Sequence, residues 1–88
     1  MTTEELYAIP VEGDGWRVIP GGNYVKLGDG VKLGNYVKLG DGVKLGDGVK
    51  LGNYVKLGDG VELGDGVKLG DYVTLGDDLA VSTVSATN

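Results

Sequence analysis

From Gly21 to Ala80 the chain is one six-residue phrase, repeated about ten times with almost no drift. It reads LGDGVK or LGNYVK, as in Leu27-Gly28-Asp29-Gly30-Val31-Lys32 followed by Leu33-Gly34-Asn35-Tyr36-Val37-Lys38. A strict short period argues against a globular core around a unique cleft. It requires stacked, near-identical units, each burying its apolar face on its neighbours. Within each phrase Val and Leu flank Lys, the period-two alternation of a short strand with apolar side chains on one face and Lys on the other. Gly-Asp-Gly or Gly-Asn-Tyr then turns the chain, because Gly, Asn and Asp tolerate the positive φ of a sharp corner. A hairpin meander is the weaker rival, since it leaves its Val/Leu face in water.

A longer period lies over the short one. Residues 35–52 read NYVKLGDGVKLGDGVKLG, residues 53–70 repeat them with Glu62 in place of Lys44, and a third copy opens at Asp71-Tyr72-Val73. Three hexads therefore make a unit of 18 residues. The expected fold is all-β, a parallel β-solenoid of triangular coils with one hexad per side, each coil about 4.8 Å above the last. Val25, Leu27, Val31, Leu33, Val37, Leu39 and their equivalents fill its axis. Stacking aligns Tyr36, Tyr54 and Tyr72 on one corner and sets Tyr24 on another. Asp29, Asp47 and Asp65 share a corner, as do Asp41, Asp59 and Asp77. Lys32, Lys50 and Lys68 form a column on one face, Lys38 and Lys56 on a second, and on the third Glu62 sits above Lys44.

The phrase Leu-Gly-x-x-Val-x resembles the hexapeptide repeat of the left-handed parallel β-helix proteins, best known from bacterial acyltransferases. The resemblance covers about two-thirds of the chain, and it implies a left-handed coil. Handedness comes from the resemblance alone, since the general preference for right-handed crossovers points the other way. Members of that family are often trimers packed side by side. Its acyltransferases use a His as base, and related carbonic anhydrases hold zinc through three His. This chain has no His and no Cys, so neither activity carries over.

Other chemistry is equally thin. No Ser has a candidate base beside it, and the Gly-rich corners lack the strand-to-helix context of a phosphate loop. The expectation is that the chain is not an enzyme, binds no cofactor or metal and has no small-molecule substrate. The Asp columns are expected to be corner residues bonding nearby backbone N–H groups, with Ca²⁺ held between coils as the alternative. The formal net charge of -5 comes from the ends, because seven Lys balance seven acids between Gly21 and Gly76. Interleaved Asp corners are expected to cancel the field of the Lys columns, and no basic stripe for nucleic acid is evident. No apolar run reaches the ~20 residues of a membrane helix, and the N-terminus lacks the apolar stretch of a signal peptide. A cytoplasmic location is the default expectation.

Three segments follow. Residues 1–20 read as a cap or docking segment, with strand at Tyr7–Val11, a turn at Glu12–Gly15 and strand at Trp16–Pro20. Thr2 to Glu5 is a weak candidate for a single helical turn. Residues 21–80 are the solenoid, and 81–88 a degenerate C-terminal strand without a strong cap. Trp16 either covers exposed Val and Leu of the first coil or joins another subunit.

The leading expectation is a structural protein that self-assembles end to end into a filament. Its joint would use Tyr7, Trp16, Arg17 and Val18 at one end and Leu79, Val81 and Val84 at the other. Acidic ends oppose such stacking at low salt, so salt should promote it. The alternatives are a discrete capped binding module, monomeric or a lateral homotrimer joined at the corner of Tyr36, Tyr54 and Tyr72, or a consensus scaffold without activity. The only partner expected is the chain itself.

Overall fold

The computed structural model describes residues 3–81 of the 88. Helix α1 (Thr3–Ala8) precedes eleven short strands: β1 (Trp16–Val18), β2 (Tyr24–Leu27), β3 (Lys32–Leu33), β4 (Lys38–Leu39), β5 (Val43–Leu45), β6 (Lys50–Leu51), β7 (Lys56–Leu57), β8 (Glu62–Leu63), β9 (Lys68–Leu69), β10 (Thr74–Leu75) and β11 (Ala80–Val81). From β2 onward every pairing is parallel and joins residues 18 apart, as in Val25↔Val43, Lys32↔Lys50 and Lys38↔Lys56. The strands sort into three sheets, ordered β1-β2-β5-β8-β11, β3-β6-β9 and β4-β7-β10. The molecule is thus a parallel β-solenoid of about three turns with 18 residues per turn, as the two superposed periods require.

The pleat carries the sequence pattern straight into packing. Val-Lys-Leu sends Val and Leu to the axis and Lys to solvent, so Val43 and Leu45 are buried around exposed Lys44. The core is a column of Val and Leu, with Val25, Val43, Val49, Val55 and Val61 fully buried. Each such side chain stabilises the stack by roughly 1.5–3 kcal/mol. No side chain of a single coil can bury itself, so this energy belongs to neighbouring coils together.

The upper end, at the first coil, is closed. Leu6 of α1 is fully buried in the same core cluster as Val25 and Val31. The Tyr7 hydroxyl donates to the Gly28 carbonyl (2.6 Å) and accepts from the Val31 N–H (3.0 Å). The Thr3 hydroxyl accepts from the Leu33 N–H at 2.7 Å. Asn23 Nδ2 donates to the Leu39 carbonyl at 3.2 Å. Strand β1 lies antiparallel on β2 and covers the edge of that sheet. Three devices therefore close the exposed strand edges of the first coil, as buried or paired backbone groups demand.

Two expectations for residues 1–20 need correcting. The segment Tyr7–Val11 is not a strand: helix runs through Ala8, and only Glu12 makes an isolated antiparallel bridge, to Trp16. The helix forms because Leu6 and Tyr7 have an apolar coil end to cover, a tertiary reason that local propensity does not contain. Trp16 does not cover Val and Leu either. It pairs with Lys26 on the outer side of the first sheet, and the Nζ atoms of Lys26 and Lys44 each lie 5.8 Å from its ring. Among the described residues no helix is long and apolar enough to cross a membrane.

Candidate functional site

The corners hold the chain's polar chemistry. At each corner the first residue after Gly carries a carboxylate or amide, and from the second coil on its side-chain oxygen accepts a backbone N–H one coil earlier: that of the equivalent residue, except that Asp41 Oδ1 takes the Tyr24 N–H (2.8 Å). Asp47 Oδ1 takes the Asp29 N–H (2.7 Å), and Asp65 Oδ1 takes the Asp47 N–H (2.8 Å). Asp59 and Asp77 serve Asp41 and Asp59 on a second corner. Asn53 and Asp71 serve Asn35 and Asn53 on the third. The backbone role expected of these residues is present, and its target lies on the adjacent coil. No group of three or more His, Cys, Asp or Glu among the described residues could hold a metal ion.

From Gly30 to Asp78 the second corner residue has positive φ, whereas Tyr24, which opens β2, does not. Gly occupies it at Gly30, Gly48 and Gly66 (φ 72, 71 and 73°), whereas Tyr36, Tyr54 and Tyr72 adopt φ of 60, 61 and 64°. A bulky residue in the left-handed region is unusual and costs roughly 1–2 kcal/mol. The three rings compensate by stacking: centroids of Tyr36 and Tyr54 lie 5.0 Å apart, those of Tyr54 and Tyr72 5.1 Å apart at 2°. The ladder is nonetheless open to solvent, with Tyr36 67% and Tyr72 73% exposed. Tyr24 stands on another corner, its carbonyl bonded by the Gly42 N–H.

Charge is sorted among the corners. The tyrosine corner is flanked by the columns Lys32-Lys50-Lys68 and Lys38-Lys56, all exposed. Its own rungs are Asn35, Asn53 and Asp71, so two of its three carboxylates are replaced by amides. The other two corners carry Asp at the corresponding rungs. The cancellation expected from interleaved Asp therefore fails at one edge: the tyrosine edge sets five Lys against the single Asp71, whereas the Asp29, Asp47 and Asp65 edge sets three Asp between the Lys32-Lys50-Lys68 column and Lys26-Lys44. The one ion pair among the described residues of the solenoid is Lys44–Glu62, at 3.7 Å on the far face.

The residues read as an end-to-end joint are placed differently from one another. The Tyr7 hydroxyl is committed to the first coil of its own chain. Arg17 stacks its guanidinium 5.1 Å from the Tyr7 ring, with Nε and Nη1 buried and without hydrogen-bond partners. Trp16 and Val18 are half-buried on β1. At the lower end Leu79 is exposed and Val81 half-buried, paired with Leu63. Val84 lies outside the described residues. The edges of β9, β10 and β11 have no lower neighbour among the described residues. A Cβ on Gly70 or Gly76 would meet nothing within 4 Å, whereas those of Gly40, Gly46 and Gly52 would strike the next coil.

Two grooves accompany these edges. One, of about 490 Å³, runs along the outer face of the first sheet past Lys26, Lys44, Glu62 and Ala80. The other, of about 610 Å³, lies beside the cap between Ile9, Ile19, Pro20, Val37 and Leu39, with Glu5 and Lys38 at its sides. Neither gathers a nucleophile with a base.

Comparison with protein families finds the bacterial transferase hexapeptide model (six repeats), matched at residues 24–58 and again at 42–77. Those two matches span every coil from β2 to β10. No curated protein and no solved structure matches the chain.

Proposed function

The chain belongs to the bacterial transferase hexapeptide family, and on that premise we propose that it is a non-catalytic structural module, a solenoid closed at its N-terminal end that associates with copies of itself side by side. The closed end carries the reading. Leu6 plugs the axis, Tyr7 and Thr3 occupy backbone groups of the first coil, and β1 covers the edge of β2. An end-to-end filament needs two open ends, and covered strand edges resist addition of another chain. The lack of any His or Cys supports a non-catalytic role, because the repeat's known transferase chemistry depends on a His base.

Electron microscopy of negatively stained protein, with sedimentation over a range of concentration and salt, tests this. Discrete particles of low multiplicity are expected. Long uniform fibres would overturn it and favour a second reading, end-to-end assembly. The observation behind that second reading is the exposed lower edge of β9, β10 and β11 beside Leu79.

A further inference from the structure

We infer that the upper edge of β4 accepts one further strand, supplied by an extended peptide of a separate protein that carries an apolar, an acidic and an apolar residue in succession. The inference goes beyond self-association and does not depend on it. Backbone pattern, groove and charge carry it.

The three upper edges of the first coil are closed unequally. Strand β2 has β1 paired along it. At β3 the Tyr7 and Thr3 hydroxyls take the Val31 and Leu33 N–H groups. Strand β4 ends its sheet, and from above it receives one side-chain bond, from Asn23 Nδ2 to the Leu39 carbonyl at 3.2 Å. The next coil shows what a further strand brings. There the Val55 carbonyl accepts the Lys38 N–H (2.9 Å) and the Leu57 carbonyl accepts the Gly40 N–H (2.8 Å). Asn23 thus imitates the second donor. The Val37 carbonyl, which corresponds to that of Val55, meets no donor among the described residues. A row of backbone groups left open in this way is a template for strand addition.

Space for the side chains lies beside it. The groove of about 610 Å³ separates Ile9, Ile19 and Pro20 of the cap from Val37 and Leu39 of the coil. An added strand in register turns two side chains inward, at the places that Val and Leu fill on every coil, and this apolar groove receives them. Leu6 plugs the axis and the cap stands over the other two sides. A whole coil of a second copy therefore has no seat here, whereas a single extended segment has one.

Charge selects the residue between those two. The pleat turns it outward above Lys38, which is exposed and has Lys56 in register below it. A third lysine adds to like charge in that column, and an acid offsets it. The chain displays the favoured pairing itself. In Val61-Glu62-Leu63 the Glu62 carboxylate lies 3.7 Å from Nζ of Lys44, its partner in register on the adjacent coil. The peptide selected is Val-Glu-Leu or its aliphatic equivalent.

Fluorescence anisotropy of a labelled peptide copied from residues 57–66, LGDGVELGDG, titrated with the full chain, tests the assignment. Saturable 1:1 binding is expected. Methylating the backbone nitrogen of Glu62 in the peptide removes the donor for the Val37 carbonyl, and Glu62→Lys in the peptide sets like charge on Lys38. Each change should weaken binding at least ~10-fold. Lys38→Glu in the protein should weaken the parent peptide as much and restore the lysine peptide. Lys68→Glu makes the same charge change at the lower end and should do neither, with thermal melting as a check on both folds. Hydrogen exchange should slow at Leu39 on binding and stay unchanged at Lys68. No saturation up to about 1 mM chain overturns the inference, as does undiminished binding of the methylated peptide. Loss of binding in Lys68→Glu instead of Lys38→Glu puts the peptide at the lower end and also overturns it. A peptide that breaks up self-association in sedimentation identifies a second copy as the occupant and overturns the assignment to a separate protein. A chain that sediments as a monomer yet binds the peptide as described upholds this inference and overturns the proposed self-association.

Discussion

Gly46 and Gly48 stand two residues apart in one phrase and answer different constraints. Gly48 has φ 71°, and a Cβ there would meet nothing within 4 Å. Gly46 lacks that positive φ, but its Cβ would lie 2.5 Å from Asp65 Oδ1 and 2.8 Å from the backbone of the next coil. Gly48→Ala should therefore lose only the conformational cost, about 1–2 kcal/mol. Gly46→Ala should lose about 3 kcal/mol or more, because it pries two coils apart and loosens their ladder bonds. Urea denaturation midpoints check the order, and equal losses would contradict it. Tyr54→Gly should change stability by less than about 1 kcal/mol, since relief of left-handed strain offsets two lost ring stacks. The same variant should weaken self-association measured by sedimentation. The sequence made the corners legible as a preference for positive φ and the tyrosines as a stack. It did not reveal that the tyrosines themselves occupy the left-handed position, because local preference forbids it and only the stack across coils permits it. The first glycine of the phrase was misleading in the same way: Gly28, Gly34, Gly40, Gly46, Gly52 and Gly58 are required by the neighbouring coil, not by their own dihedral.

At the scale of elements, strands β2 to β11 were legible because one physical cause, Val and Leu turned inward around Lys, recurs in every phrase. Helix α1 was not. Thr3-Glu4-Glu5-Leu6-Tyr7-Ala8 is one and a half turns long, too short to hold as a helix alone, and its alternation hints equally at strand. What stabilises it is the end of the solenoid, where Leu6 finds a complete apolar ring and Tyr7 and Thr3 find unpaired backbone groups. Leu6→Ala should consequently destabilise the protein by about 2–5 kcal/mol, the usual range for emptying a buried leucine site. Tyr7→Phe keeps the ring over Arg17 but strands the Gly28 carbonyl and Val31 N–H, at about 1–3 kcal/mol. Hydrogen exchange provides a second readout. Tyr7→Phe should speed exchange at Val31 well before it affects Val49 or Val55 in the middle of the stack. Uniform acceleration along the chain would mean that the cap and the coils unfold as one unit.

For the molecule as a whole, the asymmetry between its two ends decides which assemblies are open to it. The coils are interchangeable, so nothing in their geometry limits the length of a stack; a limit comes only from what closes an end. At the N-terminal end that closure rests largely on one side chain in the axis. Leu6→Asp places a charge where Leu6 is 0% exposed, and burying an unpaired carboxylate among Val25 and Val31 is far costlier than releasing the helix. The variant should therefore keep its coils but lose its helical cap, uncovering the upper edge of β3 while the lower edges of β9, β10 and β11 remain as they are. Heterologous contact between unlike ends has no geometric reason to close, and it generates an open fibre. Fibres of Leu6→Asp should lengthen as salt screens the acidic termini, whereas the capped parent chain should form none at any salt. Electron microscopy of the two proteins across one salt series distinguishes these behaviours. If Leu6→Asp stays dispersed while circular dichroism reports intact strands, the cap is not what holds end-to-end growth in check, and the restraint must lie in the lower end.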